Sequence, residues 1–162
     1  MIYARNQGGL VILFSIVLAL ALTVVPLTDE LRPFRPEWSA LVVIYWCMAL
    51  PNRFSVGKGW IVGLLLDVLQ GSLLGQHALA MALIAYVTAN LHQRLRLFPL
   101  WQQGLTILML LSLYQLLLLW FDGIIGLQPK VWTYWLPPVV GMLLWPWTFL
   151  LMRKLRRHYN IN

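Results

Sequence analysis

Long apolar runs alternate with short polar segments along the whole chain. The runs cover about residues 10–27, 38–52, 59–74, 78–91, 104–121 and 134–152, and they predict six transmembrane helices in a single integral membrane domain, residues 1–162. The first run, Leu10–Leu27, is long enough to cross a hydrocarbon core of about 30 Å, and Pro26 marks its end. The apolar part of the second, Trp38 to Leu50, lies between Pro36 and Pro51 and amounts to about 20 Å of helix. Flanking residues must extend it or the bilayer must thin around it, and a re-entrant segment is the alternative.

The third run carries the strongest pattern. Between Gly59 and Gly75 every fourth residue is small or acidic: Gly59, Gly63, Asp67, Gly71, Gly75. On a helix each such step drifts by about 40°, so Gly63, Asp67 and Gly71 share one face. Small residues at this spacing let another backbone approach closely in lipid. An aspartate among them is costly unless it points into protein. The set therefore predicts a helix-packing face with one polar group inside the bundle. The tight Gly75-Gln76-His77 link predicts an antiparallel hairpin between the third and fourth runs. Pro146 interrupts the sixth run and should bend it.

Composition agrees with a membrane class. Hydrophobic residues make up 60% of the chain and charged residues 10%, against roughly 25% charged in soluble domains. Arg5 and the apolar run behind it look like a signal peptide, but no clear small-x-small cleavage site follows, so a retained first helix is expected. The net charge of +7 comes from basic residues between the runs and at the end, a pattern of membrane orientation rather than nucleic-acid binding. With the N-terminus inside, nine basic residues are cytoplasmic: Arg5, Arg53, Lys58, Arg94, Arg96, Arg153, Lys154, Arg156 and Arg157. Only three, Arg32, Arg35 and Lys130, lie outside. That bias favours both termini in the cytoplasm. Trp38, Trp60, Trp101, Trp120 and Trp132 fall near span ends, as an aromatic belt would place them.

Candidate chemistry is sparse. The acids are Asp29, Glu30, Glu37, Asp67 and Asp122, and no second carboxylate is expected at the depth of Asp67, so a paired acid/base site is not supported. His77, His92 and His158 form no metal cluster in this topology, and no cofactor motif occurs. Ser72, five residues before His77, is a poor candidate nucleophile. Cys47 reads as a plain buried thiol. Asp67 is expected to bond to a neighbouring helix, with a ligand pocket or proton relay as the alternative. Arg153, Lys154, Arg156 and Arg157 form a cytoplasmic anchor that can attract anionic lipid.

These residues also resemble a known family. Tyr45-Trp46, Ala49-Leu50-Pro51, Arg53, Val56-Gly57, Gly63, Asp67, Gly71, Leu74-Gly75 and Ala78-Leu79 are similar to the MreD family of rod-shape-determining membrane proteins. Trp101-Gln102-Gln103, Leu144-Trp145-Pro146-Trp147 and Phe149 to Lys154 resemble its proteobacterial branch. The resemblance implies a bacterial inner-membrane protein of the machinery that builds peptidoglycan along the cell's sides. It implies direct binding of MreC, with MreB, RodZ, RodA and the elongation transpeptidase in the same complex. It also implies a six-helix fold resembling the substrate-binding subunit of energy-coupling-factor transporters. No catalytic residue follows from it. The expectation is a non-enzymatic scaffold; the alternative is a small-molecule or lipid-binding subunit with Asp67 in its pocket.

Overall fold

A computed structural model describes residues 2–25, 35, 37–50, 54, 56–71, 74–126 and 135–159, with the backbone alone at 2–7 and 125. The described residues form six helices and no strand: α1 (Ile2–Val24), α2 (Trp38–Ala49), α3 (Val56–Gln70), α4 (Gln76–Leu97), α5 (Leu100–Ile125) and α6 (Leu136–His158). The six apolar runs and the six helices correspond one to one, but their limits differ. The third run reaches 74 whereas α3 stops at Gln70, and the fourth run stops at 91 whereas α4 continues to Leu97. The sixth starts at Leu136, with Pro137 and Pro138 in its first turn, where a missing backbone N–H costs little. It then runs through Pro146 as one helix.

α2 is the centre of the bundle. It packs against α1, α4 and α6. Eleven of its 12 residues are buried, all but Trp38. A helix that is apolar on every side is stable where protein surrounds it on every side. At 12 residues it is about 18 Å long, too short to cross a bilayer alone. The second run thus extends further in sequence than its helix: α2 ends at Ala49, ahead of Pro51, which disfavours helical geometry in the residue before it. α3 and α4 form a close hairpin, as do α5 and α6.

By length and hydropathy, two of the described helices qualify as membrane-crossing on their own, α5 over Leu100–Ile124 and α6. The apolar parts of α1 (Gly8–Val24) and α2 are shorter. The six-helix count expected from the sequence is met, while six independent crossings are not seen in the helix lengths. The outer faces are apolar even so. Trp101, Leu105, Met109, Leu116, Trp120 and Ile124 are all exposed along α5, and Leu13, Phe14 and Val17 along α1. Continuous apolar faces of this kind turn toward lipid or another protein, not water.

Candidate functional site

The hairpin between α3 and α4 gathers the buried Asp67, Gln76 and His77 at one helix end. α3 closes at Gln70, and Gly71 follows with φ +67°, a left-handed conformation that stops the helix with no side-chain penalty. Gly75, with φ +99°, sits at the N-cap of α4 and supplies no capping side chain of its own. That leaves the first backbone N–H groups of α4 in need of acceptors.

Asp67 supplies them from the neighbouring helix. Its Oδ2 accepts from the N–H groups of Gly75 at 2.9 Å and Ala78 at 3.3 Å. Its Oδ1 accepts from the N–H of His77 at 2.9 Å and lies 2.7 Å from His77 Nδ1. We assign a hydrogen to Nδ1, because a carboxylate held by three backbone N–H groups is an acceptor. A carboxylate offers about four lone-pair sites, and these four partners match them. The negative charge also faces the positive end of the α4 dipole. Asp67 is 1% exposed. The expected bond to a neighbouring helix is therefore made, and the partners are three main-chain N–H groups and the His77 ring.

The glycine series divides in two. A Cβ on Gly63 would stand 2.4 Å from Ala78 Cα and 2.6 Å from the His77 carbonyl oxygen, so two backbones touch there. A Cβ on Gly59 would meet the Ala85 methyl at 2.9 Å. A Cβ on Gly71 or Gly75 would meet nothing within 4 Å, and their positive φ explains the residue type. Their assignment to the packing face is thus corrected: the four-residue spacing continues past the helix into the turn. Ser72 lies outside the described residues.

Asp122 is tied to the same end of α4. Gln76 Nε2 donates to Asp122 Oδ1 at 3.0 Å, tying the first turn of α4 to the last turn of α5. The His77 and Tyr114 rings are 6.2 Å apart. At the opposite end of α4, the Arg96 guanidinium donates to the carbonyls of Met48 at 3.0 Å and Ala49 at 2.5 Å. A cation thereby closes the C-terminus of α2, where the dipole favours it. Gln103 Nε2 donates to the Leu95 carbonyl at 2.8 Å, and its Oε1 accepts from Trp145 Nε1 at 3.2 Å. The roles of Arg96 and Gln103 were missed in the sequence, where one read as a charge in a topology count and the other as part of a motif.

A family model described as rod shape-determining protein MreD matches residues 4–155. The chain is 34% identical over 151 residues to Rod shape-determining protein MreD of Haemophilus influenzae, covering 93% of each. The chain belongs to the MreD family. No solved structure matches it, so the likeness to energy-coupling-factor subunits gains no support. Membership in MreD gives the chain a role in rod cell shape. Several residues that carried the MreD resemblance are those that bind helix to helix: Gly63, Asp67, Gln103 and Trp145. No group of three potential metal ligands occurs among the described residues.

Proposed function

We infer that this chain is a non-enzymatic inner-membrane scaffold of the cell-elongation complex, supporting lateral peptidoglycan synthesis. In this reading it crosses the membrane six times with both termini in the cytoplasm. It binds MreC directly and shares a complex with MreB, RodZ, RodA and the elongation transpeptidase. Family membership supports the process. The observation that supports a structural role is the commitment of polar side chains to the chain's own helix ends. Asp67, Arg96 and Gln103 all bond main-chain groups, and so does Arg35, which donates to the carbonyls of Thr23 and Val25. A ligand pocket around Asp67 is less well supported, since its oxygens are taken up within the hairpin.

Depletion of the native protein in rod-shaped cells, with complementation by a tagged copy, tests this reading. Wild type should restore rods and co-purify MreC from detergent-solubilised membranes. Restored rods without MreC in the eluate would end the direct-binding claim. Topology is read separately by cysteine labelling: a probe confined to the outside should label a cysteine placed at Glu30 or Gln128. Strong outside labelling at position 55 would overturn the six-span arrangement.

A further inference from the structure

α1 and α2 meet at a corner that one cation holds. The Arg35 guanidinium donates through Nη1 to the Thr23 carbonyl and through Nη2 to the Val25 carbonyl, at the C-terminal end of α1. A cation on the last carbonyls of a helix also faces the negative end of its dipole. A second tie crosses the same corner. The Thr23 and Ser39 hydroxyls are 3.0 Å apart, so the last turn of α1 is bonded to the first turn of α2. The clamp is incomplete, since Arg35 Nε is buried and has no hydrogen-bond partner among the described residues. Glu37 stands two residues on, half-buried at the N-cap of α2, and its side chain caps nothing. Among the described residues the one salt bridge is His77–Asp67, so Glu37 and Arg35 are not joined by one.

One guanidinium thus has two sets of acceptors beside it, the carbonyls it holds and a carboxyl it does not. Which set wins depends on the charge of the carboxyl. A neutral carboxyl is a weak rival to two carbonyls at a helix end, whereas a carboxylate takes a guanidinium in a two-pronged, charge-assisted pair. Burial pushes the Glu37 carboxyl from its ordinary 4.5 up to about 7, and the Arg35 charge acts against that rise. The other groups at the corner, Thr23 to Val25 and Trp38 to Ser39, do not titrate. α4 and α6 also pack on α2. α4 runs parallel to α2, since Arg96 near its C-terminus reaches the C-terminus of α2. It therefore brings His77 to this end, bonded to Asp67, and Gln76, bonded to Asp122. The charges of α6 begin at Arg153, toward its other end.

We infer that this corner is a proton-controlled latch: with Glu37 neutral, Arg35 clamps the end of α1, and with Glu37 ionised, the carboxylate draws Arg35 away and frees that turn. The sign follows from the proton that the folded corner retains. The clamp is complete below about 4.5 and is lost as the pH rises through about 7. The latch does not depend on the scaffold role or on MreC. Hydrogen exchange of the full-length protein in detergent, corrected for the intrinsic effect of pH, tests it between about pH 5 and about pH 8. In wild type the amides of Thr23, Val24 and Val25 should exchange about tenfold faster at the upper end, while those of α5 stay unchanged. Glu37→Gln cannot ionise and should keep the turn protected throughout. Arg35→Gln should leave it unprotected throughout. Asp29→Asn combined with Glu30→Gln removes the other acids of the connecting segment and should keep the wild-type transition. Flat exchange in wild type, or a transition that survives in Glu37→Gln, would overturn the latch. So would a protected turn in Arg35→Gln, or loss of the transition in the Asp29 and Glu30 variant. A change of equal size in every helix would mark general loosening and would overturn it too.

Discussion

The two hairpins of this bundle are closed by different means. In α3–α4, main chain meets main chain at Gly63 and Ala78, and a carboxylate finishes the second helix. In α5–α6, side chains fill the space: Leu111 and Trp145 are fully buried between the helices, and Gln103 ties them by one side-chain hydrogen bond. The difference concerns what can yield. A leucine can change rotamer and a neighbour can follow, whereas a backbone in van der Waals contact moves only if its helix moves. The first hairpin should therefore tolerate almost no change at its contact, and the second should absorb small ones.

The largest effect is expected at Gly63. Even Ala places a methyl group 2.4 Å from Ala78 Cα, and Leu adds volume where none exists. Overpacking costs about 1–3 kcal/mol and more where the backbone cannot shift. Gly63→Ala should lower the thermal midpoint of the detergent-purified protein clearly, and Gly63→Leu should abolish accumulation in membranes. At Gly59 the first obstacle is the Ala85 methyl rather than backbone, so Gly59→Ala should be milder. Equal stability of Gly63→Ala and wild type would show that the hairpin is looser than described.

Asp67 comes next. Asp67→Leu leaves three backbone N–H groups and the His77 ring nitrogen without their acceptor, at about 1–3 kcal/mol for each buried group left unsatisfied. Asp67→Asn keeps the shape, yet one oxygen becomes an NH2 group that faces donors. It should be intermediate in thermal stability, a consequence that size and hydrogen-bonding capacity alone do not reveal. Rod-shape complementation should track the amount of folded protein in both variants. An Asn variant that is abundant and stable but leaves cells round would move Asp67 from architecture to function.

Much of this contrast was legible before the structure. Hydrophobic runs located six helices, and the Gly63–Asp67 spacing marked a face that meets another helix. Two things were not legible, for related reasons. The period of four continues through Gly71 and Gly75, and spacing cannot separate a helical glycine from one needed for positive φ. The partners of Asp67, Arg96 and Gln103 are largely main-chain groups, and these leave no residue type to recognise. Arg96 reaches carbonyls 47 and 48 residues away, which only the packing of α4 on α2 brings within range. The burial of α2 beyond Trp38 was hidden as well, because a short apolar run looks the same whether lipid or protein surrounds it.

A smaller effect is expected where a side chain closes a helix end from outside. Arg96→Gln removes a charged fork from the last carbonyls of α2 and should cost about 1–2 kcal/mol. Arg96→Lys keeps the charge without the fork and should fall between Gln and wild type. The readout is thermal unfolding combined with hydrogen exchange at the α2 C-terminus. Uniform exchange in all three proteins would place the Arg96 contribution elsewhere.

The smallest effect sharpens the comparison most, because it repeats the Gly63 experiment in the other hairpin. Gly141 lies inside α6, and a Cβ there would meet Leu111 Cδ1 at 2.5 Å. That distance is nearly the one found at Gly63, and Ala gains the same helix propensity at either site, about 1 kcal/mol over Gly. Only the obstacle differs. At Gly141 it is the far end of a flexible side chain, and the next atom, Leu41 Cδ2, is 3.8 Å away. Leu111 can rotate at a cost of about 1 kcal/mol, so the gain and the loss nearly cancel. Gly141→Ala should shift the thermal midpoint by no more than a degree or two, roughly the span of 0.5 kcal/mol in a domain of this size. Leu111→Val combined with it should remove the clash, so the double variant should be more stable than the sum of the two single changes predicts. The same cycle built from Gly63→Ala and Ala78→Gly should show no such recovery, because the obstacles there are a Cα, an amide nitrogen and a carbonyl that no side-chain change removes. Recovery in both cycles, or in neither, would mean that the two hairpins are closed in the same way after all.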